Sequence, residues 1–284
     1  MVPKNVTVFG AGLMGAGIAQ VAAQNGFRVV LSDVTEKALQ NGLQIIQKSL
    51  GRVAKKKFAG REGEVDAWTA EVLENIKTVT DAGQAVSSSD LVVEAIVENL
   101  QIKRDLFGFL DRKADPHCIF ASNTSSLSIG DIAGTCSAER LKRFGGFHFF
   151  NPVPAMKLVE VIKARHTSQE TFDTLVAVAK KMEKVPVSAK DTPGFITGRL
   201  LIPYMLEAIR MAERGDASPE DIDTAMELGA GYHTTTFISN GWREKAERGE
   251  IPKELVAKIP MLQKLVDEGK LGRKTGQGFY NYSS

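Results

Sequence analysis

Val6-Thr7-Val8-Phe9 runs straight into Gly10-Ala11-Gly12-Leu13-Met14-Gly15 and then into a helical pattern. No other stretch narrows the possible folds as much. The three glycines follow GxGxxG, a spacing that acquires meaning only between a strand and a helix. Gly10 permits the tight turn. Gly12 removes a side chain where backbone must approach a pyrophosphate, whose charge the free N–H groups of the helix start can meet. Gly15 lets helix and strand pack closely. A second strand, Arg28–Leu31, leads to Asp33, about twenty positions downstream, where this kind of site places an acid. A carboxylate there bonds both ribose hydroxyls and repels a 2′-phosphate, so the expected cofactor is NAD rather than NADP.

The rest of the chain extends the pattern. Short apolar runs at Asn5–Phe9, Arg28–Asp33, Ile76–Thr78, Asp90–Ala95, Cys118–Ser122, Phe144–His148, Leu158–Val161 and Val185–Ala189 read as strands. Stretches such as Gly15–Asn25 and Glu98–Lys113 have helical spacing. This alternation predicts an α/β fold: a doubly wound, Rossmann-type, mostly parallel sheet covered on both faces. Glu36–Asn75 is helical without a strand candidate and predicts a helical pair projecting from the sheet. The character changes at Asp191-Thr192-Pro193-Gly194, where Pro-Gly marks a break. Beyond it, Leu200–Arg214 carries Leu201, Met205, Ala208 and Ile209 on one stripe, with Gly215 as its stop. Ser218-Pro219-Glu220-Asp221 starts a further helix, which Gly229 is expected to end. The expected organisation is a nucleotide-binding domain over residues 1–190, with 36–75 as its excursion, and an all-helical domain over 191–284.

Composition excludes several classes. Hydrophobic residues are 43% and charged residues 25%, an ordinary globular balance. A formal charge of +2 argues against a whole-surface nucleic-acid or membrane binder, though not against a local basic patch. Two cysteines, Cys118 and Cys136, cannot build a disulfide framework or a four-cysteine zinc site. No apolar run is long enough to span a bilayer. Residues 1–9 already read as strand, so any targeting peptide is expected to have been removed.

His148 closes one candidate strand, and ligands of open α/β sheets bind at strand ends. Histidine suits a reversible base near neutral pH. Glu160 lies inside the otherwise apolar Leu158-Val159-Glu160-Val161, where a carboxylate is costly unless paired. His117, His166 and His233 lack such company and are expected at the surface.

FGAGLMGAGIAQVAAQNGF, DLVVEAIVENLQIKRDLF, FASNTSSLSI, FHFFNPVPAMKLVEVI, KDTPGFITGRLL and KTGQGFYNY together resemble the short-chain L-3-hydroxyacyl-CoA dehydrogenases of fatty-acid β-oxidation, the 3-hydroxybutyryl-CoA dehydrogenase family. The resemblance covers almost the whole chain, and RVAKKKF and GDASPEDIDTAM bring it closer to the animal mitochondrial enzymes. It implies oxidation of the 3-hydroxyl of an acyl-CoA to a ketone with hydride passing to NAD. By resemblance His148 is the base, Glu160 holds and polarises its other nitrogen, and Ser125 bonds the substrate oxygen. Glu98, Lys103, Ser125, Asn151 and Lys274 resemble cofactor-contacting positions, and Ser49 and Lys56 resemble contacts to coenzyme A. The basic face around Arg52, Lys55, Lys56 and Lys57 suits the phosphates of that ligand. Also implied are a homodimer and the mitochondrial matrix. The lysines read equally as a solvated helix face, and Glu98 with Lys103 as a charged pair at a helix start.

Two departures from the family stand out. Gly198, in Thr192-Pro193-Gly194-Phe195-Ile196-Thr197-Gly198-Arg199, replaces an asparagine that the family places near the catalytic histidine. After Gly229-Ala230-Gly231-Tyr232 the chain goes straight to His233-Thr234-Thr235-Thr236, where the family has a pocket-lining segment. A deletion or a mobile loop missing from the recorded residues explains this, and the second is expected, because deleting a pocket wall exposes core. The departures keep two other readings open: a catalytically weak NAD-binding homologue, and a dehydrogenase of a free hydroxy acid. Lys190–Gly194 is the expected hinge between the domains.

Overall fold

The computed structural model describes residues 2–59, 61–231, 259–271 and 275–279. The chain divides into two compact units, residues 1–195 and 196–284.

The first unit is an eight-stranded sheet in the order β3-β2-β1-β4-β5-β6-β7-β8. Its strands are β1 (Asn5–Phe9), β2 (Arg28–Ser32), β3 (Ile76–Val79), β4 (Leu91–Glu94), β5 (Ile119–Ser122), β6 (Phe144–Phe149), β7 (Leu158–Lys163) and β8 (Val185–Lys190). Every pairing is parallel except β6 with β7. The first six strands follow the doubly wound 3-2-1-4-5-6 order. Central strands read as unbroken apolar runs because helices cover both of their faces. All four residues of β4 and of β5 are buried.

Helix α1 (Leu13–Gln24) follows β1 directly. The excursion is α2 (Glu36–Lys57) and α3 (Glu62–Glu74). The Thr35 hydroxyl caps α2 by accepting the Ala38 N–H at 3.1 Å. The pair does not simply project. Leu39, Gly42, Ile46, Leu50 and Ala54 recur along one face of α2 and are buried, and Leu39, Ile46, Leu50 and Val72 belong to the same core as β1 and α1. A methyl on Gly42 would stand 2.9 Å from Ala11 Cβ, so glycine lets α2 pass close to the nucleotide loop.

Shorter helices α4 (Ala82–Val86), α6 (Ile129–Ala133) and α7 (Ala138–Lys142), with the longer α5 (Leu100–Asp111) and α8 (Gln169–Lys181), complete the layers. The expected hinge is partly built into this unit. The Asp191 carboxylate accepts the Ser128 hydroxyl at 2.9 Å and the N–H groups of Ile129 and Gly130 at 2.9 and 2.8 Å. Phe195 is buried in the core of this unit.

The described part of the second unit contains α9 (Thr197–Arg214), α10 (Pro219–Ala230) and α11 (Pro260–Asp267). Leu206, Ile209 and Ile259 form a small core. Gly215 ends α9 in the left-handed region at φ 74°, the conformation glycine adopts without cost. Ser218 caps α10 and Pro219 opens it, but the helix runs through Gly229 to Gly231, which takes φ 69°. Two glycines compete for that stop, and the one reaching the left-handed conformation wins. Among the described residues no helix is long and apolar enough to cross a membrane.

Candidate active site

Parallel pairing aligns the carboxyl ends of the central strands. Ser32, Phe9, Glu94 and Ser122 stand side by side across β2, β1, β4 and β5, and Ser122 pairs with Gly146 of β6. This edge is where open α/β sheets bind ligands.

The nucleotide loop leaves β1 at this edge. Gly10 has φ 98°, and a side chain there would meet the Ala95 carbonyl oxygen at 2.5 Å. A methyl on Gly15 would lie 1.7 Å from the Gly10 carbonyl oxygen. Both positions need glycine for the fold. Gly12 differs: a methyl there meets no described atom within 4 Å. It is the N-cap of α1 and, being glycine, supplies no side-chain hydrogen bond to the first helical N–H groups. Asp33 Oδ2 accepts the Ala11 N–H at 2.7 Å and Oδ1 accepts the Val34 N–H at 2.7 Å. Each oxygen keeps a further acceptor position for a ribose hydroxyl. The open cradle at Gly12, the uncapped helix start and the acid after β2 fit a dinucleotide.

His148 and Glu160 are direct partners across the antiparallel β6–β7 pair. Their Nδ1 and Oε2 atoms lie 2.8 Å apart. The Glu160 side chain is fully buried and that of His148 is 12% exposed. A buried carboxylate assigns the proton to Nδ1, which leaves the Nε2 lone pair as a base. Phe150 and Phe195 flank the imidazole at ring-centroid distances of 4.5 and 5.8 Å.

Between these two centres lies a chain of polar contacts. Lys103 Nζ donates to Glu94 Oε1 at 2.5 Å and pairs with Glu98 Oε2 at 3.1 Å. The Ser122 hydroxyl donates to Glu94 Oε2 at 2.6 Å. Glu98 Oε1 accepts the Thr124 and Ser126 hydroxyls and, at 3.3 Å, the Ser125 N–H. Partial burial alone would raise the Glu98 carboxyl, but the Lys103 charge and hydrogen bonds from Thr124, Lys103 and Ser126 outweigh it and hold the group below its ordinary value.

The charged-pair reading of Glu98 with Lys103 holds: Lys103 is 1% exposed and bound to two carboxylates, because it lies on the inner face of α5. Ser125 is exposed beyond the end of β5, and Asn151 is exposed just beyond β6. Lys56 is exposed and Ser49 half-buried, both on α2. Lys57 lies 4.7 Å above the Trp68 ring, so that member of the basic run braces the excursion. His117 and His166 are exposed. Lys274, His233 and the junction after Tyr232 lie outside the described residues. The sequence nevertheless runs without interruption from Tyr232 to His233, so the expected missing loop gives way to a departure in the chain itself.

Sequence reasoning overlooked Glu94, Asn123 and Lys184. Asn123 Oδ1 accepts the N–H of Phe149, beside His148, at 2.8 Å. Lys184 Nζ donates to the carbonyls of Val153 and Met156 at 2.6 and 2.9 Å, pinning the turn that carries Asn151. Burial and the neighbouring Lys157 charge push this ammonium down to about 8.

A dinucleotide-binding oxidoreductase with a histidine–carboxylate pair is the class these features define. The chain belongs to the 3-hydroxyacyl-CoA dehydrogenase family: the family model for the NAD-binding domain matches residues 5–192 and that for the C-terminal domain matches residues 194–282. It is 55% identical to the human mitochondrial hydroxyacyl-coenzyme A dehydrogenase, over 99% of this chain and 92% of that one. A probable 3-hydroxybutyryl-CoA dehydrogenase of Deinococcus radiodurans is 43% identical, over 97% and 99% of the two chains. The crystal structure of (S)-3-hydroxybutyryl-CoA dehydrogenase from Ralstonia eutropha superposes with a TM-score of 0.87 at 35% identity, covering 99% of this chain and all of that one. The human alignment spans 295 positions against 284 residues here, so that relative carries residues this chain lacks.

Proposed function

We propose that this protein oxidises (S)-3-hydroxyacyl-CoA to 3-oxoacyl-CoA with NAD, in fatty-acid β-oxidation. The observation that carries the reading is the His148–Glu160 pair, placed at the same sheet edge as a dinucleotide cradle. Bound NAD supplies the hydride acceptor. His148 Nε2 takes the 3-hydroxyl proton, while Glu160 holds Nδ1 and balances the imidazolium charge. The Ser125 hydroxyl holds the substrate oxygen, and Asn151 stands beside the nicotinamide. Gly12 admits the pyrophosphate, Gly10 and Gly15 shape the loop that receives it, and Asp33 takes the ribose. Glu98 and Lys103 serve the cofactor through the loop they brace rather than by a free ammonium contact, and family resemblance alone adds Lys274 to the cofactor contacts. Ser49 and Lys56 dock coenzyme A on the outer face of α2. Leu200 and Leu228 are 70% and 81% exposed, which supports pairing of two copies through the helical unit. The human relative's name supports a mitochondrial location; the matrix is carried by family resemblance alone.

The test is NADH oxidation by acetoacetyl-CoA against free acetoacetate. Remote coenzyme A contacts are expected to raise kcat/KM for the thioester by at least ~100-fold. Equal rates with both substrates would favour the free hydroxy-acid reading.

Gly198 carries the second reading, a weakly active homologue. A Cβ on this residue meets no described atom within 4 Å, so Gly198→Asn has room on α9. If the missing amide limits turnover, the variant is expected to raise kcat by about 10²-fold, the lower end of what one hydrogen-bond donor contributes. An unchanged kcat would show that the chain does not need the donor.

A further inference from the structure

We infer that Glu94 is a positioning residue for this reaction: its buried carboxylate sets where the Ser125 loop stands relative to the nucleotide loop. The inference rests on the reading of Ser125 as the substrate-oxygen contact.

Glu94 is the last residue of β4 and is fully buried. Burial strips such a carboxylate of water, and only donors around it can offset that loss. Oε1 accepts the Ile96 N–H at 2.8 Å and the Lys103 ammonium at 2.5 Å, and Oε2 accepts the Ser122 hydroxyl at 2.6 Å. Each donor leads to a different part of the site. Ile96 follows Ala95, whose carbonyl fills the space above Gly10, so this contact reaches the nucleotide loop. Lys103 passes to Glu98, which gathers Thr124, Ser125 and Ser126. Ser122 Oγ in turn accepts the Thr124 N–H at 3.2 Å. Two independent routes therefore run from Glu94 to the Ser125 loop. A third contact, the Asn123 N–H to the Glu94 carbonyl at 2.8 Å, reaches the residue that fixes the backbone beside His148.

The hub is anionic for a reason. Glu94 and Glu98 share one lysine, and an uncharged group in place of Glu94 would leave Lys103 to Glu98 alone. The ammonium would then be drawn toward Glu98, and the anchor that fixes Glu98 to the sheet would be lost. Near-attack geometry tolerates little: a displacement of about 1 Å can cost up to ~10²-fold in rate.

The experiment is a double-mutant cycle of Glu94→Gln with Ser125→Ala, read as kcat and KM for NADH and acetoacetyl-CoA, with Tm beside them. Glutamine keeps the shape and removes the charge. Expected are a fall in kcat of about 30-fold in the parent, within that positional limit, an NADH KM within about twofold, and less than about twofold further loss in the Ser125→Ala background. Equal losses in both backgrounds would overturn the proposal and leave Glu94 with a merely structural role. A parental kcat in Ser125→Ala would overturn the Ser125 reading and this proposal with it. Loss on Ser125→Ala with independent, multiplying factors overturns the role of Glu94 alone. Should Glu94→Gln fail to fold, Ser122→Ala enters the same cycle. It deletes one of the two routes, with an expected loss of about fivefold that again vanishes without Ser125.

Discussion

Substituting His148 by glutamine is expected to lower kcat for reduction of acetoacetyl-CoA by about 10²–10⁴-fold, the range general acid–base catalysis contributes. In this direction the imidazolium gives its proton to the ketone oxygen. Glutamine has no proton of suitable acidity to give. The choice of glutamine matters because Glu160 is fully buried and loses the ring N–H in a variant whose side chain carries no donor. Taking a hydrogen-bond donor away from a buried carboxylate is destabilising. The amide N–H of glutamine can still reach Oε2, so stability should change little. NADH binding, followed by nicotinamide fluorescence, is expected to stay within about threefold, since the cradle of Gly10, Gly12 and Asp33 is built from β1, β2 and α1 rather than β6. A variant retaining more than a tenth of the parental kcat would remove His148 from the proton transfer.

The same pair shows which kinds of information a sequence carries. Glu160 was visible because an acid in an apolar strand demands a partner, and the partner had to be near a strand end. The antiparallel register that sets His148 opposite Glu160 was not visible, since nothing in Leu158–Lys163 distinguishes a strand that reverses direction. The parallel strands were legible for the opposite reason: burial on both faces writes continuous apolar runs. Lys103 shows a signal that was present and only half used, since its pairing with Glu98 was read and its pairing with Glu94 was not. Leu100, Lys103, Phe107 and Leu110 fall on one helical stripe, and the last three are buried. A lysine on such a stripe requires an interior acid, and Glu94, closing an apolar strand much as Glu160 interrupts one, is that acid. The excursion likewise announced its helices, while its inner stripe from Leu39 to Ala54 implied packing on α1 rather than projection. The individual roles of Ser125, Asn151, Ser49 and Lys56 came from family resemblance alone. Single polar residues on loops and helix faces carry no periodicity from which a ligand could be read.

Two glycines of one motif should respond to alanine in opposite ways. At Gly15 the added methyl would sit 1.7 Å from the Gly10 carbonyl oxygen, a backbone atom that cannot rotate aside. Helix α1 must shift off β1, and overpacking of this kind costs about 1–3 kcal/mol or more. Tm is expected to fall by at least ~5 °C, with NADH binding lost as a consequence of the displaced loop. At Gly12 the methyl meets no described protein atom within 4 Å, so Gly12→Ala should fold with a Tm within about 2 °C of the parent. Its penalty appears only when a pyrophosphate must approach the backbone. A clash of about 1–3 kcal/mol there raises the NADH Kd by roughly 5–150-fold, while KM for acetoacetyl-CoA at saturating NADH stays close to the parental value. Calorimetry and NADH titration on the two variants separate the effects. Parental NADH affinity in Gly12→Ala would mean that the cofactor does not pass over Gly12. A Gly12→Ala Tm depressed as far as that of Gly15→Ala would mean that the open space beside Gly12 is closed in solution. The contrast is informative because glycine at Gly15 is demanded by the protein's own packing, whereas at Gly12 only a ligand can demand it.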